Sequence, residues 1–219
     1  MSGPSEQTWP DAVFQVLKGA KVRQVGYVPD AGHARLIARA EADPELRAVV
    51  LTTEEEGVAL AAGAWLGGER AVLLMQSSGV GNCINMLSLI TNCRMPLLTL
   101  VTMRGEWGEF NPWQVPMGSA TPQVLGAMGV QVLRAERPLD AAETVRAAAA
   151  LAFDSSVPVA VLFSQRLIGA KEFRKVTPGR AREPPRSAGQ TRESRRARRG
   201  RSDDGICART APGGGDAAQ

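Results

Sequence analysis

Glu54, Glu55 and Glu56 stand in a row at the head of a segment filled with Gly57, Ala59, Ala61, Ala62, Gly63 and Ala64. A carboxyl group can donate, accept or hold a proton at a ligand once the fold carries it there. Glu54 is expected at the carboxyl end of a strand, where open α/β sheets gather their ligands. Glu55 and Glu56 are expected in the first turn of the following helix, where carboxylates complement the helix dipole. A second group, Ser77-Ser78-Gly79-Val80-Gly81-Asn82, combines polar side chains with glycines that admit close backbone approach. It reads either as a plain strand-to-helix turn or as a phosphate cradle at a helix N-terminus. The cradle is argued against by the lack of a following Gly-Lys-Ser/Thr or a Gly-x-Gly-x-x-Gly spacing. Asp30, the single histidine His33, Arg104 and Gln114 complete the candidate side chains.

These residues need a frame. Short apolar or β-branched runs at 22–28, 47–52, 71–76, 96–102, 131–133 and 158–163 read as strands covered on both faces. Helices are expected at 9–20, 34–42, 54–66, 122–128 and 140–153, with another after the 77–81 turn running to about residue 91. The helix over 54–66 has almost no side-chain bulk, and each interior Gly costs about 1 kcal/mol against Ala. That pattern fits tight packing in an ordinary α/β core, or a close approach kept for a purpose. Residues 104–118 read as a long loop. Loops beyond about 12 residues are usually functional or disordered, and Trp107 and Trp113 argue against disorder. Strand and helix alternate throughout, which predicts a doubly wound, mainly parallel six-stranded sheet with helices on both faces. That architecture hosts many chemistries and selects none of them.

Composition narrows the classes further. The chain has 219 residues and a formal net charge of +4. Of its 26 Lys and Arg, ten fall at or after Thr177, against five acids there; the remainder carries 16 basic and 17 acidic residues. Basic character therefore belongs to residues 177–219, in which Ile206 is the sole large aliphatic. Such a segment cannot bury enough apolar surface to offset ordering entropy, so a disordered Arg/Gly/Pro-rich tail is expected beside a folded domain at 7–173. Its arginines could touch nucleic acid electrostatically. No aromatic is interleaved for base stacking, which argues against that function. No apolar run reaches the roughly 18 residues of a membrane span, and the first residues lack a basic-then-apolar signal pattern. Cys83, Cys93 and Cys207 have no metal-ligand spacing and read as reduced thiols of a cytoplasmic protein.

The segments taken together resemble a family. Glu54 with Gly63 nine residues on, Met75-Gln76-Ser77-Ser78-Gly79-Val80-Gly81-Asn82, and Met95-Pro96-Leu97-Leu98 are similar to the pyrimidine-binding domain of thiamine-diphosphate-dependent decarboxylases. Arg104-Gly105-Glu106 and Gln114-Val115-Pro116-Met117-Gly118 look like the loop of sulfopyruvate decarboxylase alpha subunits. The match runs over about 7–171 with its motifs in the right order.

The resemblance implies that Glu54 hydrogen-bonds a ring nitrogen of the cofactor's aminopyrimidine and moves its proton. Gln there could bond but not shuttle. It implies that Ser77, Ser78, Gly79, Gly81 and Asn82 border the ring, and that Asp30, His33, Arg104 and Gln114 face a small anionic 2-keto acid. Arg104 reads equally as a solvated loop arginine. The family's Gly-Asp-Gly…Asn segment for Mg2+ and the diphosphate is absent, which implies a beta subunit supplying that half at a shared active centre. The expected function is conversion of 3-sulfopyruvate to sulfoacetaldehyde and CO2. The alternatives are a phosphonopyruvate decarboxylase-type subunit, or a non-catalytic binding or assembly module on the same fold.

Overall fold

The computed structural model describes residues 8–169. The chain divides into two units, Met1–Arg174 and Lys175–Gln219, and every described residue belongs to the first. The expected tail at 177–219, and Cys207 with it, lies outside the described residues.

Six strands form one all-parallel sheet: β1 (Val22–Tyr27), β2 (Arg47–Val50), β3 (Arg70–Gln76), β4 (Leu97–Thr102), β5 (Gln131–Ala135) and β6 (Pro158–Phe163), in the order β2-β1-β3-β4-β6-β5. β4 and β6 are buried at every position, as their unbroken apolar runs require, while the edge strands β2 and β5 keep exposed residues. Alternate side chains feed two cores. Val72, Leu74, Leu98, Leu100, Val159 and Val161 meet α1 (Trp9–Gly19), α2 (Ala34–Ala42) and α6 (Pro138–Ser155). Leu73, Met75, Leu97, Val101, Ala160 and Leu162 meet α3 (Glu54–Leu66), α4 (Ser77–Cys93) and α5 (Val115–Ala127). Each fully buried Leu or Val contributes about 1.5–3 kcal/mol, so both cores help to hold the sheet between its layers.

The two layers differ in chemistry. α1, α2 and α6 carry Asp11, Lys18, Arg35, Arg39, Glu41, Asp140, Glu143, Arg146 and Asp154. α4 and α5 carry no charged residue, and α3 carries Glu54, Glu55 and Glu56 in its first turn and none after them. Yet α4 exposes Ser78, Gly81, Asn82, Asn85 and Leu89, and α3 exposes Ala59, Gly63 and Leu66.

Four expectations are corrected. Glu54 does not end a strand: β2 stops at Val50, and Glu54 is the first residue of α3, behind the extended Thr53. The 77–81 segment is no turn, because Gln76 is the extended N-cap residue and α4 starts at Ser77 with both glycines inside it. The loop after β4 is shorter than its composition suggests. It gives way to a 3-10 turn at Pro112–Gln114 and then to α5, whose first turn accommodates Pro116 because the missing N–H has no helical partner there. α5 runs through Pro122 rather than beginning there, anchored by buried Gly118, Thr121 and Leu125. A short helix α7 (Gln165–Ile168) follows β6 and has no signature in the apolar pattern.

Candidate functional site

The connection from β1 leads one way to β2 and that from β3 leads the other way to β4, so a crevice opens at their carboxyl ends. Gln76 ends β3, and Asp30, Glu54, Ser77 and Arg104 lie a few residues or less beyond carboxyl ends of strands in this region.

The three consecutive acids have three fates. Glu56 Oε2 accepts from the backbone N–H of Thr52 at 2.8 Å and Thr53 at 3.4 Å, closing the N-terminus of α3. Glu55 is exposed. Glu54 is only 9 % exposed, and its Oε2 accepts from Asn82 Nδ2 at 2.8 Å. Room for it exists because residue 79 has no side chain: a Cβ on Gly79 would overlap Glu54 Cγ, Cδ and Oε1. The helical glycine is thus the complement of the buried acid, which is why its intrinsic cost of about 1 kcal/mol is tolerated. Gly81 is less constrained, since a Cβ would meet only the flexible Met117 Sδ at 3.3 Å.

The other polar members of the segment face protein. Ser77 is fully buried, and its Oγ accepts from the backbone N–H of Arg104 at 3.0 Å, tying α4 to the end of β4. Ser78 Oγ donates to Gln76 Oε1 at 2.9 Å, and Gln76 Nε2 donates to Asp30 Oδ1 at 2.9 Å. Asp30 Oδ2 also accepts from Thr102 Oγ1 at 2.7 Å and Gly32 N–H at 3.0 Å. Asp30, Gly32, Thr102 and Arg104 line a small cavity of about 150 Å³.

His33 is 1 % exposed and its Nε2–H donates to the Leu100 carbonyl at 3.0 Å. Its ring lies edge-on to Phe163, 6.1 Å between centroids, and Nδ1 has no hydrogen-bond partner among the described residues. Burial pushes its pKa below the ordinary histidine value, so the ring is neutral, and it does not line that cavity.

Arg104 is buried as well. Its Nε and Nη2 bond Glu109 Oε2 and Oε1 at 2.7 and 2.6 Å, so the guanidinium is balanced within the protein rather than solvated. Glu109 further accepts from Gly105 N–H, Asn111 N–H and Gln165 Nε2, and the Arg104 guanidinium leads these in holding its carboxyl at about 2. Gln114, on the 3-10 turn, is half-buried, with Oε1 lacking a partner among the described residues. Cys83 offers no nucleophile: burial, with the neighbouring Glu54 and Glu55 adding to it, pushes the thiol up to about 12.

The structure therefore brings together Glu54, Gly79 and Asn82, and separately Asp30, Gln76 and Ser78. Sequence reasoning missed Gln76, Thr102, Glu109 and Gln165. Gln76 and Thr102 end apolar strands with a polar residue, which was the available signal; Glu109 and Gln165 had none. Among the described residues no group of three or more His, Cys, Asp or Glu side chains is placed to hold a metal ion. Nor is any helix there long and apolar enough to cross a membrane.

The chain is similar to several known proteins. The thiamine pyrophosphate enzyme N-terminal TPP binding domain matches residues 7–110. Sulfopyruvate decarboxylase subunit alpha of Methanothermobacter thermautotrophicus is 35% identical over 153 residues, covering 69% of this chain and 93% of that protein. The Methanocaldococcus jannaschii subunit alpha is 32% identical, covering 69% and 90%. Phosphonopyruvate decarboxylase of Streptomyces viridochromogenes is 40% identical over 111 residues, but these make up only 28% of that protein. Among solved structures, benzoylformate decarboxylase from Polynucleobacter necessarius shares the fold with a TM-score of 0.59 at 17% identity, over 73% of this chain and 30% of its own. With a buried acid at the head of α3 set against a glycine of α4, and 32–35% identity over at least 90% of the length of these subunits, the chain belongs to the sulfopyruvate decarboxylase alpha subunit family of thiamine-diphosphate enzymes.

Proposed function

We propose that the chain is the alpha subunit of a thiamine-diphosphate-dependent 2-keto acid decarboxylase. Its substrate in this reading is 3-sulfopyruvate, which with one proton yields sulfoacetaldehyde and CO2. The observation that carries the reading is the Glu54–Gly79 pair, a buried acid whose place in the fold exists only because the facing helix lacks a side chain. When bound, thiamine diphosphate supplies the carbon nucleophile that adds to the keto carbon and accepts the electron pair released with CO2.

Glu54 would hold a proton against a ring nitrogen of the pyrimidine, its carboxyl seated over Gly79, while the exposed Gly81 adds no side-chain bulk beside it. Ser77 and the Ser78–Gln76–Asp30 chain fix the crevice wall rather than the ring. Asp30, Thr102 and Arg104 border the cavity in which the substrate's anionic end sits. Because Arg104 is already paired with Glu109, neutral donors must share in recognising that anion.

A cytoplasmic beta subunit carries the Mg2+ and diphosphate half, and the sparsely charged α3–α4–α5 layer faces it, since Glu54 and Asn82 belong to that layer. The test is reconstitution. The chain is mixed with a candidate beta subunit, thiamine diphosphate and magnesium, and CO2 release is followed from 3-sulfopyruvate and from 3-phosphonopyruvate. Turnover of 3-sulfopyruvate by the mixture alone supports the proposal. Full turnover by the isolated chain overturns the divided site, and preference for the phosphonate overturns the substrate.

A further inference from the structure

We infer that Asn82 is a positioning residue for Glu54 rather than a contact of the cofactor: its amide fixes which carboxyl oxygen carries the transferable proton. The inference rests on the proposed role of Glu54.

A free carboxylic acid has two interchangeable oxygens, and a proton transfer to a ring nitrogen uses only one. In this site the two are not equivalent. Oε2 lies 2.8 Å from Asn82 Nδ2, which is a donor with no lone pair to offer. A carbonyl oxygen accepts better than a protonated one, so this donor favours Oε2 as the acceptor and leaves Oε1 to carry the proton. Oε1 is the oxygen packed over the Cα of Gly79, inside the volume a Cβ would fill. α4 thereby grips the carboxyl twice, through an absent side chain at position 79 and through an amide three residues on, the helical spacing that puts both on one face. Asn82 is itself exposed at the edge of that face, so its amide can serve Glu54 without supporting the core.

The proton stays with this acid and ring nitrogen throughout, and Asn82 neither gains nor loses one. What the amide removes is a second, unproductive arrangement of the same proton. A donor to a carboxyl group with charge character is worth roughly one to two powers of ten in an equilibrium.

The experiment uses the assembled complex with its partner subunit. Asn82→Asp has the same shape but presents an acceptor, and Asn82→Ala presents nothing. Both are expected to lower kcat about 10- to 100-fold with KM for the keto acid little changed. They should also weaken thiamine diphosphate binding in calorimetry and reduce the near-ultraviolet circular dichroism of the bound pyrimidine's imino tautomer. Melting temperature should stay within a degree or two of the parent. In the Glu54→Gln background, Asn82→Ala should have no further effect, because the group it positions is gone.

An Asn82→Asp complex with normal kcat and normal dichroism overturns the inference, as does an Asn82→Ala effect that persists undiminished beside Glu54→Gln. Failure of the underlying reading looks different: Glu54→Gln would then itself turn over normally.

Discussion

The two helical layers on this sheet are built from different residues for different duties. The α1–α2–α6 layer buries Val, Leu, Ala and Phe inward and shows charges outward, the ordinary arrangement of an amphipathic helix facing water. The α3–α4–α5 layer buries as well but turns Ala, Gly, Asn, Ser and Leu outward, a surface with little to offer water. Its ionic groups are confined to the first turn of α3, where Glu55 and Glu56 are exposed and Glu54 lies buried against Gly79, and beside this layer Arg104 is locked to Glu109. The difference teaches that charge in this molecule is placed at the surface where it serves solubility, and buried only where a specific partner fixes it. The same contrast predicts how each layer responds to change.

The largest effect is expected at Glu54. Glu54→Gln should keep fold and assembly while reducing decarboxylation by about 10²–10⁴-fold, the usual loss for a general acid–base group. Glu55→Gln in the same turn, and Glu143→Gln on the charged layer, should change turnover little. Comparable losses from Glu54→Gln and Glu55→Gln would erase the distinction between buried and solvated acids.

Next come the ion pairs. Glu109→Gln leaves Arg104 buried without its partner and should destabilise by about 3–5 kcal/mol in urea unfolding. Arg137→Gln breaks the exposed pair with Asp140 and should cost no more than about 1 kcal/mol. Acid titration sharpens the point. Glu109 and Asp11 are both held near 2, below their unfolded values; for Asp11 the Arg35 hydrogen bond leads. A depressed carboxylate contributes stability above its unfolded pKa and loses it as pH falls through the folded one. Stability should therefore stay level down to about pH 5 and fall between about 4.5 and 2, less steeply in Glu109→Gln.

Two glycines give the smaller tests. Gly79→Ala must displace the Glu54 carboxyl, and overpacking of this kind costs about 1–3 kcal/mol, with turnover falling as the acid moves. Gly63 meets nothing within 4 Å of a new Cβ, so Gly63→Ala should stabilise the isolated chain by up to about 1 kcal/mol through helix propensity. If the α3–α4–α5 layer is covered in the complex, the same Gly63→Ala should weaken association measured by ultracentrifugation. Unchanged association would place the partner elsewhere.

Much of this was legible before any coordinates. Apolar runs and glycine stops located all six strands and the Glu54–Leu66 helix, because a strand covered on both faces must be apolar throughout and a helix of small residues has few other uses. The order of motifs gave the family and drew attention to Glu54. What the linear pattern blurred was the junction at Ser77, read as a turn because two glycines stand there, and the start of α5, read as loop because two prolines flank it.

Only the tertiary structure decided what these residues are for. It separated three neighbouring glutamates into a buried acid, a solvated one and a helix cap, since their fates depend on what α4 places opposite them. It turned Ser77 into a brace, Arg104 into half of a buried pair and His33 into a core residue, because their partners lie 27, 5 and 67 positions away. Local sequence sets which backbone conformation is cheap; hydrogen-bond partners and burial are set by which strands the sheet brings side by side, and that information is spread over the whole chain.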